Sequence, residues 1–221
     1  MTKNHLKARA APRTWNISRK TTTFITRPNP GSQRLEMTLP LDMIIRQLGL
    51  GQTKKDINYL LRNTEILVNG TRRHDRRFGV GFMDVISVPA AKKYAVLSLD
   101  DHGRLTLEET TEAASATKLA QVRTVAAVRG GKLQARLSDG RNVPTTKTLV
   151  RGSTVQIDLA KNAVKHVYAV AEKSHVILTS GKHRGKRGTI ESMDAEYVTV
   201  KTATGSLSTK REYAFVLGGS A

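Results

Sequence analysis

Lysine and arginine side chains are concentrated in three stretches of this sequence, and the chemistry they could perform is phosphate binding. Guanidinium groups match phosphate oxygens with paired hydrogen bonds, whereas ammonium groups act as point charges. The densest stretch contains Lys54, Lys55, Arg62, Arg72, Arg73, Arg76 and Arg77. An isolated charge run is usually a solvated loop. Because these cations accompany a helical pattern with a buried face, we expect them to be exposed together and to contact RNA or DNA.

The second stretch combines cations with glycines near the C-terminus. Gly181, Gly185 and Gly188 admit backbone conformations that are closed to other residues, so the chain can bend sharply there. Only three residues separate Gly181 from Gly185, and Arg187 follows Lys186, so the loop does not fit the Walker pattern of nucleotide-binding loops. We expect it to bind an RNA backbone without reacting. The candidate binding residues here are Lys182, His183, Arg184, Lys186 and Arg187, with Lys210 and Arg211 following later.

The third stretch is the N-terminal region, whose first 35 residues contain no Asp or Glu. Low hydrophobicity and high charge predict a disordered tail in the free protein, so its removal should hardly change thermal unfolding. Trp15, the only tryptophan, and Phe24 could pack in the core or stack on RNA bases, and the sequence leaves both open. The candidate RNA-binding residues of this region are Lys3, Lys7, Arg9, Arg13, Arg19 and Lys20.

Residues that could support other chemistry are not arranged for it. The six histidines are scattered without ligand spacing, and no acid pair or nucleophile lies near a base. Asp100 and Asp101 fit a hairpin turn better than an acid–base pair. The chain has no cysteine, which excludes disulfides and thiolate zinc sites. We therefore expect no catalytic residues, no metal, no cofactor, no small-molecule substrate and no enzymatic activity.

The overall charge indicates a polyanionic partner. The net charge is +19 and the isoelectric point is near 10.6, which favours nucleic acid. An anionic membrane is the competing polyanion, but no apolar run approaches the roughly 20 residues of a spanning helix, and no basic amphipathic helix stands out. The N-terminus lacks the apolar core of a secretion signal, so a cytoplasmic location is expected.

Two short helices are predicted to position the densest basic stretch. The first is followed by Gly49, which suits a left-handed cap, and the second runs over Lys54–Asn63 from a capping box of Thr53 and Asp56. A strand over Glu65–Val68 and an Asn-Gly turn then predict a hairpin. The inward apolar residues are Leu41, Ile44, Ile45 and Leu48 in the first helix and Ile57, Leu60 and Leu61 in the second.

The remainder of the chain shows short alternating strands separated by turn signals such as Gly130-Gly131 and Thr204-Gly205, with a short acidic helix permitted within Glu108–Leu119. We therefore predict a multidomain α+β protein. Its expected segments are a basic N-terminal extension (1–39), a helix-pair RNA-binding module (40–91), a central mainly-β domain (92–172) and a C-terminal β barrel (173–221).

Several of these segments resemble a known family. The helix pair with Ile66–Gly70 and Gly81–Ile86, together with the opening His5–Trp15, looks like the S4e family of archaeal and eukaryotic small-subunit ribosomal proteins. The segment His175–Ile190 resembles the KOW motif, which occurs in small SH3-like barrels of ribosomal proteins and transcription elongation factors. The resemblance covers essentially the whole chain in order, and it implies that the C-terminal segment is a KOW SH3-like barrel.

The resemblance implies a non-enzymatic structural component of the small ribosomal subunit that binds small-subunit ribosomal RNA. Such a protein would lie beside neighbouring small-subunit ribosomal proteins, support RNA folding and assembly for translation, and reside on cytoplasmic ribosomes. Eukaryotic members continue further after the barrel, whereas this chain stops at Ala221, so the archaeal type is expected.

Two alternatives remain at this point. An RNA-modifying enzyme could carry a similar helix pair, but it would append it to a large catalytic domain, and only residues 92–172 remain for one. A transcription elongation factor would account for the KOW segment but not for the N-terminal segment.

Overall fold

Strands make up most of the regular secondary structure in the described residues, and the helices there are few and short. The computed structural model describes residues 5–128, 132–145, 149–194, 196–203 and 205–218. The chain divides into two compact units, here called unit 1 (Met1–Ser98 with Arg104–Ala116) and unit 2 (Leu99–Gly103 with Thr117–Ala221). No helix in the described part of the chain is long and apolar enough to cross a membrane. The described part of the chain is mostly β with few helices, which bears out the α+β prediction only in part, while the four segment boundaries stay a prediction.

Unit 1 is built on a five-stranded sheet with strand order β5-β4-β7-β8-β9, accompanied by the two-stranded pairs β1-β2 and β3-β6. Strands β8 and β9, which lie beyond the expected boundary at residue 91, extend this sheet. The elements in chain order are β1 (Leu6–Lys7), β2 (Phe24–Ile25), β3 (Thr38–Pro40), α1 (Leu41–Gln47), α2 (Lys54–Asn63), β4 (Leu67–Val68), β5 (Thr71–Arg72), β6 (Gly79–Gly81), β7 (Val85–Val88), β8 (Lys93–Leu99), β9 (Leu105–Glu109) and α3 (Glu112–Ser115).

The helix pair forms because its apolar residues fall on one face of each helix. Leu41, Ile44 and Ile45 of α1 and Ile57 and Leu61 of α2 are almost completely buried. Burial of this kind contributes roughly 1.5–3 kcal/mol for each large aliphatic side chain. The predicted inward faces of both helices are therefore confirmed at these positions.

The predicted caps and turn are also confirmed. The Thr53 hydroxyl accepts a hydrogen bond from the Asp56 N–H (3.2 Å), and the Asp56 carboxylate accepts one from the Thr53 N–H (3.0 Å), which closes the capping box. Gly49 has a φ of +71° after α1, and Asn69 and Gly70 have φ values of 51° and 74° at the β4–β5 turn. Two successive positive φ values match the tight hairpin turn that Asn-Gly favours.

The N-terminal segment is folded onto unit 1, and the expected disordered tail is wrong for this structure. Trp15 is 2% exposed, and its indole N–H donates to the Leu35 carbonyl oxygen at 3.3 Å. The Leu105 N–H donates to the Thr14 carbonyl oxygen at 2.7 Å, which ties this segment to β9. Phe24 is 56% exposed and takes no part in the core. A single tryptophan can bury a large area, so low average hydrophobicity does not reveal this anchor.

Unit 2 contains two five-stranded sheets, with strand orders β12-β11-β10-β13-β14 and β18-β17-β16-β15-β19. Between Glu108 and Leu119 the helix is limited to α3, because β10 begins at Thr117 and pairs with β13. The elements of unit 2 are β10 (Thr117–Val128), β11 (Lys132–Leu137), β12 (Asn142–Thr145), β13 (Thr154–Asp158), β14 (Ala163–Tyr168), β15 (His175–Leu178), β16 (Arg187–Met193), β17 (Tyr197–Thr202), β18 (Gly205–Lys210) and β19 (Ala214–Gly218).

The two sheets of unit 2 are joined by hydrogen bonds from buried polar groups. The Gln121 side-chain amide donates to the Ala214 carbonyl oxygen at 3.0 Å, and the Val216 N–H donates to the Thr154 hydroxyl at 3.2 Å. Val155 and Ile157 of β13 are fully buried, and the half-buried Gln156 lies between them on the other face of the strand. Strands β18 and β19 lie at the two ends of the C-terminal sheet order among the described residues. The turns predicted at Gly130-Gly131 and Thr204-Gly205 involve residues outside the described ranges.

Candidate nucleic-acid interface

The outer face of α2 carries the first group of predicted RNA-binding residues. Lys54, Lys55 and Arg62 are all exposed, while Ile57 and Leu61 are buried on the opposite side. The helix is fixed at its N-terminus by the capping box and against the core by its apolar face. The three cations therefore extend from a rigid support.

The hairpin after α2 adds one further exposed cation at the end of the helix. Arg72, on β5, is exposed, and its guanidinium group donates to the Arg62 carbonyl oxygen at 3.0 Å. The turn itself is held by Asn69, whose side-chain oxygen accepts from the Val85 N–H at 3.0 Å. We call the exposed set Lys54, Lys55, Arg62 and Arg72 the helix–hairpin surface.

The other arginines of the hairpin segment are half-buried, so the expectation that all of them are exposed is wrong. The Arg73 guanidinium group lies 4.3 Å from the centre of the Phe78 ring. The Arg77 Nε donates to the Arg27 carbonyl oxygen at 3.1 Å, and Arg76 is half-buried as well. An arginine next to an aromatic ring or a carbonyl group stabilises the fold as well as supplying charge. The sequence could not distinguish these arginines from Arg72, because all are polar neighbours in one short run.

The N-terminal cations divide in the same way. Arg19 is half-buried, and its guanidinium group donates to the carbonyl oxygens of Arg9 (3.2 Å), Ala11 (2.9 Å) and Pro12 (2.9 Å). It therefore holds the N-terminal segment in shape. Of the predicted binding residues in this segment, Lys7, Arg9, Arg13 and Lys20 are exposed, and Lys3 lies outside the described residues.

The glycine-rich loop between β15 and β16 has the sharp bends that the sequence predicts. Gly181 and Gly185 have φ values of +85° and +90°. The Gly185 N–H donates to the Leu178 carbonyl oxygen at 2.7 Å, and the Leu178 N–H donates to the Lys186 carbonyl oxygen at 3.0 Å. Gly188 serves another purpose, because a Cβ there would overlap the carbonyl oxygen of Lys201 on the paired strand β17.

One side of this loop packs against the turn between β8 and β9. A Cβ at Gly185 would overlap the Asp100 carbonyl oxygen and lie 2.6 Å from the Gly103 N atom. As predicted, Asp100 belongs to a hairpin turn. Its carboxylate accepts a hydrogen bond from the His102 N–H at 2.7 Å, which closes the turn. Arg187 reaches the Leu99 carbonyl oxygen at 3.5 Å. This packing limits how many loop cations can face a partner.

The predicted loop cations accordingly differ in exposure. Lys182 and Arg187 are exposed, whereas His183, Arg184 and Lys186 are half-buried. Later in the chain Lys210 is exposed and Arg211 is half-buried.

A cleft of about 470 Å³ in unit 2 brings Lys210 and Arg211 together with two arginines that sequence reasoning missed. Arg123 comes from β10, and Arg151 precedes β13; both are exposed. Arg151 pairs with the Glu212 carboxylate at 2.9 Å. Neither arginine is among the predicted binding residues; Arg123 lies at the register shift between Val122 and Thr124 of β10, where it is exposed. The residues lining the cleft are Gln121, Val122, Arg123, Val150, Arg151, Gly152, Glu196, Lys210, Arg211 and Glu212.

The pKa is shifted for two carboxylates, the exposed Asp56 and the half-buried Asp158. Hydrogen bonds from the backbone N–H and the hydroxyl of Thr53 lower the pKa of Asp56. The hydrogen bond from the Lys165 ammonium group, followed by the Ala160 N–H, lowers the pKa of Asp158. Both carboxylates therefore stay ionised at neutral pH. Across the described ranges, no group of three His, Asp or Glu side chains is placed to hold a metal ion.

Comparison with known proteins places the chain among ribosomal proteins. The model of "Ribosomal family S4e" matches residues 91–164, and that of the "RS4NT (NUC023) domain" matches residues 2–32. The small ribosomal subunit protein eS4 of Methanosphaera stadtmanae is 33% identical over 98% of this chain and 92% of that protein. The eS4 protein of Methanocella arvoryzae is 32% identical over 97% of this chain and 94% of that protein.

A solved structure supports the same relationship. The crystal structure of the 30S ribosomal protein S4e from Thermoplasma acidophilum matches with a TM-score of 0.69 and 26% identity. The match covers 83% of this chain and 95% of that chain. The likeness therefore extends over both the sequence and the fold.

Proposed function

Because this chain belongs to the ribosomal family S4e, with archaeal relatives matched over nearly its whole length, we propose that it is a structural component of the small ribosomal subunit. In this role it binds small-subunit ribosomal RNA through exposed cations and supports the folding of that RNA for translation. Its partners are this RNA and the neighbouring small-subunit ribosomal proteins, and it resides on ribosomes in the cytoplasm. It acts by binding and not by catalysis.

The helix–hairpin surface is the observation that carries this proposal. Four exposed cations extend from a capped helix and a tight hairpin, which hold them in place without RNA. Pre-positioned cations neutralise phosphates at a smaller entropic cost than cations on a flexible tail. Each phosphate contact also releases condensed counterions, which is the main source of affinity for nucleic acid.

Further contacts are proposed from unit 2 and from the N-terminal segment. Lys182 of the glycine-rich loop and Arg187 at the start of β16 are exposed, and the cleft adds Arg123 and Arg151 beside Lys210. Lys7, Arg9, Arg13 and Lys20 offer charge from the N-terminal segment. In this proposal several separated patches bind different parts of one RNA, which would help to fix the relative positions of its helices.

The C-terminal sheet is proposed to be an SH3-like barrel of the KOW type. Its five antiparallel strands, the KOW-like sequence at the β15–β16 loop and the positive φ values of Gly181 and Gly185 support this proposal. The division into an N-terminal extension (1–39), a helix-pair module (40–91), a central mainly-β domain (92–172) and a barrel (173–221) is proposed with it.

Salt-dependent binding of the full chain to small-subunit ribosomal RNA tests the function. Replacement of Lys54 and Lys55 by Gln should flatten the plot of log affinity against log salt by about 0.7–0.9 for each lysine, because fewer counterions are released. Lys161, exposed in the β13–β14 turn, is the matched control, and Lys161→Gln should leave the slope unchanged. Equal slopes for all three proteins would refute phosphate binding by α2.

A second measurement separates binding from catalysis. Ribosomal RNA from cells depleted of the protein should retain its modified nucleotides while small-subunit assembly declines. If one defined modification were lost, and the purified chain restored it on preformed RNA, the protein would be an RNA-modifying enzyme.

A further inference from the structure

Tyr59 is the most exposed large aromatic side chain in the described residues, at 68%. It lies near the middle of α2, on a helix that is otherwise patterned for a basic outer face and an apolar inner face. Single exposed apolar residues are common on protein surfaces and need no explanation by themselves. The position of Tyr59 among the cations of the helix–hairpin surface is what requires one.

Helix geometry places Tyr59 at the point of α2 that is farthest from the core. Residues in an α-helix are separated by about 100° around the axis, so a residue two positions away lies on nearly the opposite side. Tyr59 is two positions after Ile57 and two before Leu61, the two residues of α2 that are buried. The tyrosine ring therefore extends directly away from the body of unit 1, and it cannot join the core by a change of rotamer.

Two cations bracket this ring on the same face. Lys55 is four residues before Tyr59 and Arg62 three residues after it, the spacings at which helical side chains are neighbours. At a rise of about 1.5 Å per residue, Lys55 lies about 6 Å before the ring along the axis and Arg62 about 4.5 Å after it. The Arg72 guanidinium group donates a hydrogen bond to the Arg62 carbonyl oxygen, so it lies at the same end of α2 as Arg62.

The nearest acid in the sequence is Asp56, three residues before Tyr59. Its carboxylate accepts a hydrogen bond from the Thr53 N–H and lies at the positive end of the helix dipole, and both offset part of its negative charge. The outer face of α2 thus presents an aromatic ring with a cation on each side. An aromatic platform flanked by cations is suited to a nucleic-acid strand whose base stacks on the ring while its phosphates meet the cations.

A base-paired helix cannot use such a platform fully, because its bases are already stacked on each other. In RNA the bases available for stacking on side chains are those of loops, bulges and ends. The surface therefore favours an unpaired nucleotide over a duplex. An acidic peptide would satisfy the cations, but it would leave the flat face of the ring without a planar partner.

We propose that Tyr59 is a stacking site for an unpaired RNA base, with Lys55 and Arg62 binding the phosphates on either side of that base. This inference rests on the proposed function and adds to it, because it assigns α2 to a single-stranded element of the RNA. The site distinguishes unpaired from paired RNA by stacking and does not read the identity of the base.

The test measures binding of the full chain to a 12-nucleotide oligoadenylate and to the duplex of that strand with oligouridylate. Tyr59→Ala should weaken binding to the single strand about 5- to 150-fold, which corresponds to the usual contribution of one stacked base. Tyr59→Phe should bind within about twofold of the wild type, because stacking needs only the ring. Tyr59→Leu, which keeps apolar bulk without a flat ring, should bind like Tyr59→Ala.

Duplex binding and the salt dependence provide the controls. Affinity for the duplex should change by less than about twofold in all Tyr59 variants, and their salt slopes should equal that of the wild type, because no charge is altered. Lys55→Gln should show the opposite pattern, with a flatter slope. Thermal unfolding of each variant verifies that the exposed substitution leaves the fold intact.

Three results would overturn the inference. Unchanged single-strand affinity in Tyr59→Ala would assign the ring to another partner, such as a neighbouring protein. An equal loss in Tyr59→Phe would assign the effect to the hydroxyl group instead of stacking. An equal loss on the duplex would remove the preference for unpaired RNA. If the wild type bound neither RNA with salt dependence, the proposed function itself would fail, which is a separate outcome.

Discussion

Replacing Trp15 by alanine should strongly destabilise unit 1 in the absence of RNA. Trp15 is 2% exposed, and its indole N–H donates to the Leu35 carbonyl oxygen. Truncating a buried tryptophan to alanine typically costs about 3–5 kcal/mol, because it removes buried area and leaves a cavity. For a folding unit of roughly 100 residues, each kcal/mol lowers the melting temperature by about 4–8 °C. We therefore expect the melting temperature of unit 1 to fall by more than about 10 °C.

Differential scanning calorimetry of the free, full-length chain measures this change. The matched control is Phe24→Ala, which removes the other large aromatic residue of the N-terminal segment. Phe24 is 56% exposed, and exposed substitutions usually change stability by less than about 0.5 kcal/mol. Its melting temperature should therefore stay within about 4 °C of the wild type. Trp15→Phe, which keeps a ring but loses the indole hydrogen bond, should fall between the two.

The wild type offers an independent readout. Trp15 is the only tryptophan, so its fluorescence reports on the packing of the N-terminal segment alone. Its emission should be that of a buried indole in the free protein and should shift to longer wavelength when unit 1 melts.

Equal melting temperatures for Trp15→Ala and Phe24→Ala would refute the reasoning. The N-terminal segment would then be unpacked in the free protein, as its composition alone predicts, and it would acquire order only on RNA.

Three further experiments test other parts of the structure. Arg72→Gln should flatten the salt dependence of RNA binding by about 0.7–0.9 and leave calorimetric melting unchanged, because its bond to the Arg62 carbonyl group is exposed to water. Arg77→Gln should also lower the melting temperature, because its bond to the Arg27 carbonyl group is partly buried. Gly185→Ala should lower the melting temperature of unit 2 by at least about 5 °C, since its φ is +90° and a Cβ would overlap backbone, while Gly218→Ala, in open space, should match the wild type. Folding lowers the pKa of Asp158. The ionised carboxylate therefore stabilises unit 2 at any pH above its unfolded pKa of about 4. This stabilisation is lost as the pH falls through the lower pKa of the folded state. Asp158→Asn should therefore melt below the wild type at pH 7 and converge with it near about pH 2; a constant difference across this range would exclude the effect.

Local patterns in the sequence were sufficient for the elements that are determined locally. The extent of α2, its capping box and the Asn-Gly turn are all present in the structure, because each depends on residues within a few positions of one another. The sharp bends at Gly181 and Gly185 belong to the same class.

Long-range packing is what the sequence could not provide. The burial of Trp15 depends on carbonyl groups about 20 residues away and on a strand that begins at Leu105. The packing of Gly185 against the Asp100 turn joins residues that are far apart in the chain. The cleft could not be predicted, because Arg123 lies on β10 and Arg151 lies in the turn before β13, 28 residues later in the sequence. In each case the decisive partner lies outside any local window.

The sequence could not separate cations that stabilise the fold from cations that face RNA, because that separation also depends on long-range packing. The difference between arginine and lysine gives it a chemical basis. Guanidinium groups can donate several hydrogen bonds in a fixed plane, so they satisfy backbone carbonyl oxygens, whereas ammonium groups are compact and strongly hydrated. Several arginines in this chain bond carbonyl oxygens, including Arg19, Arg72, Arg77 and Arg187, while Lys54, Lys55, Lys182 and Lys210 are exposed. Such an arginine can still present its remaining donors to a phosphate, which is the role proposed for the exposed Arg72. The net charge of +19 is therefore not a measure of how many cations bind only RNA, because some of these cations also bond the protein's own backbone. Phosphate contacts should therefore be counted from the exposed lysines and from those arginines that stay exposed although they bond a carbonyl group.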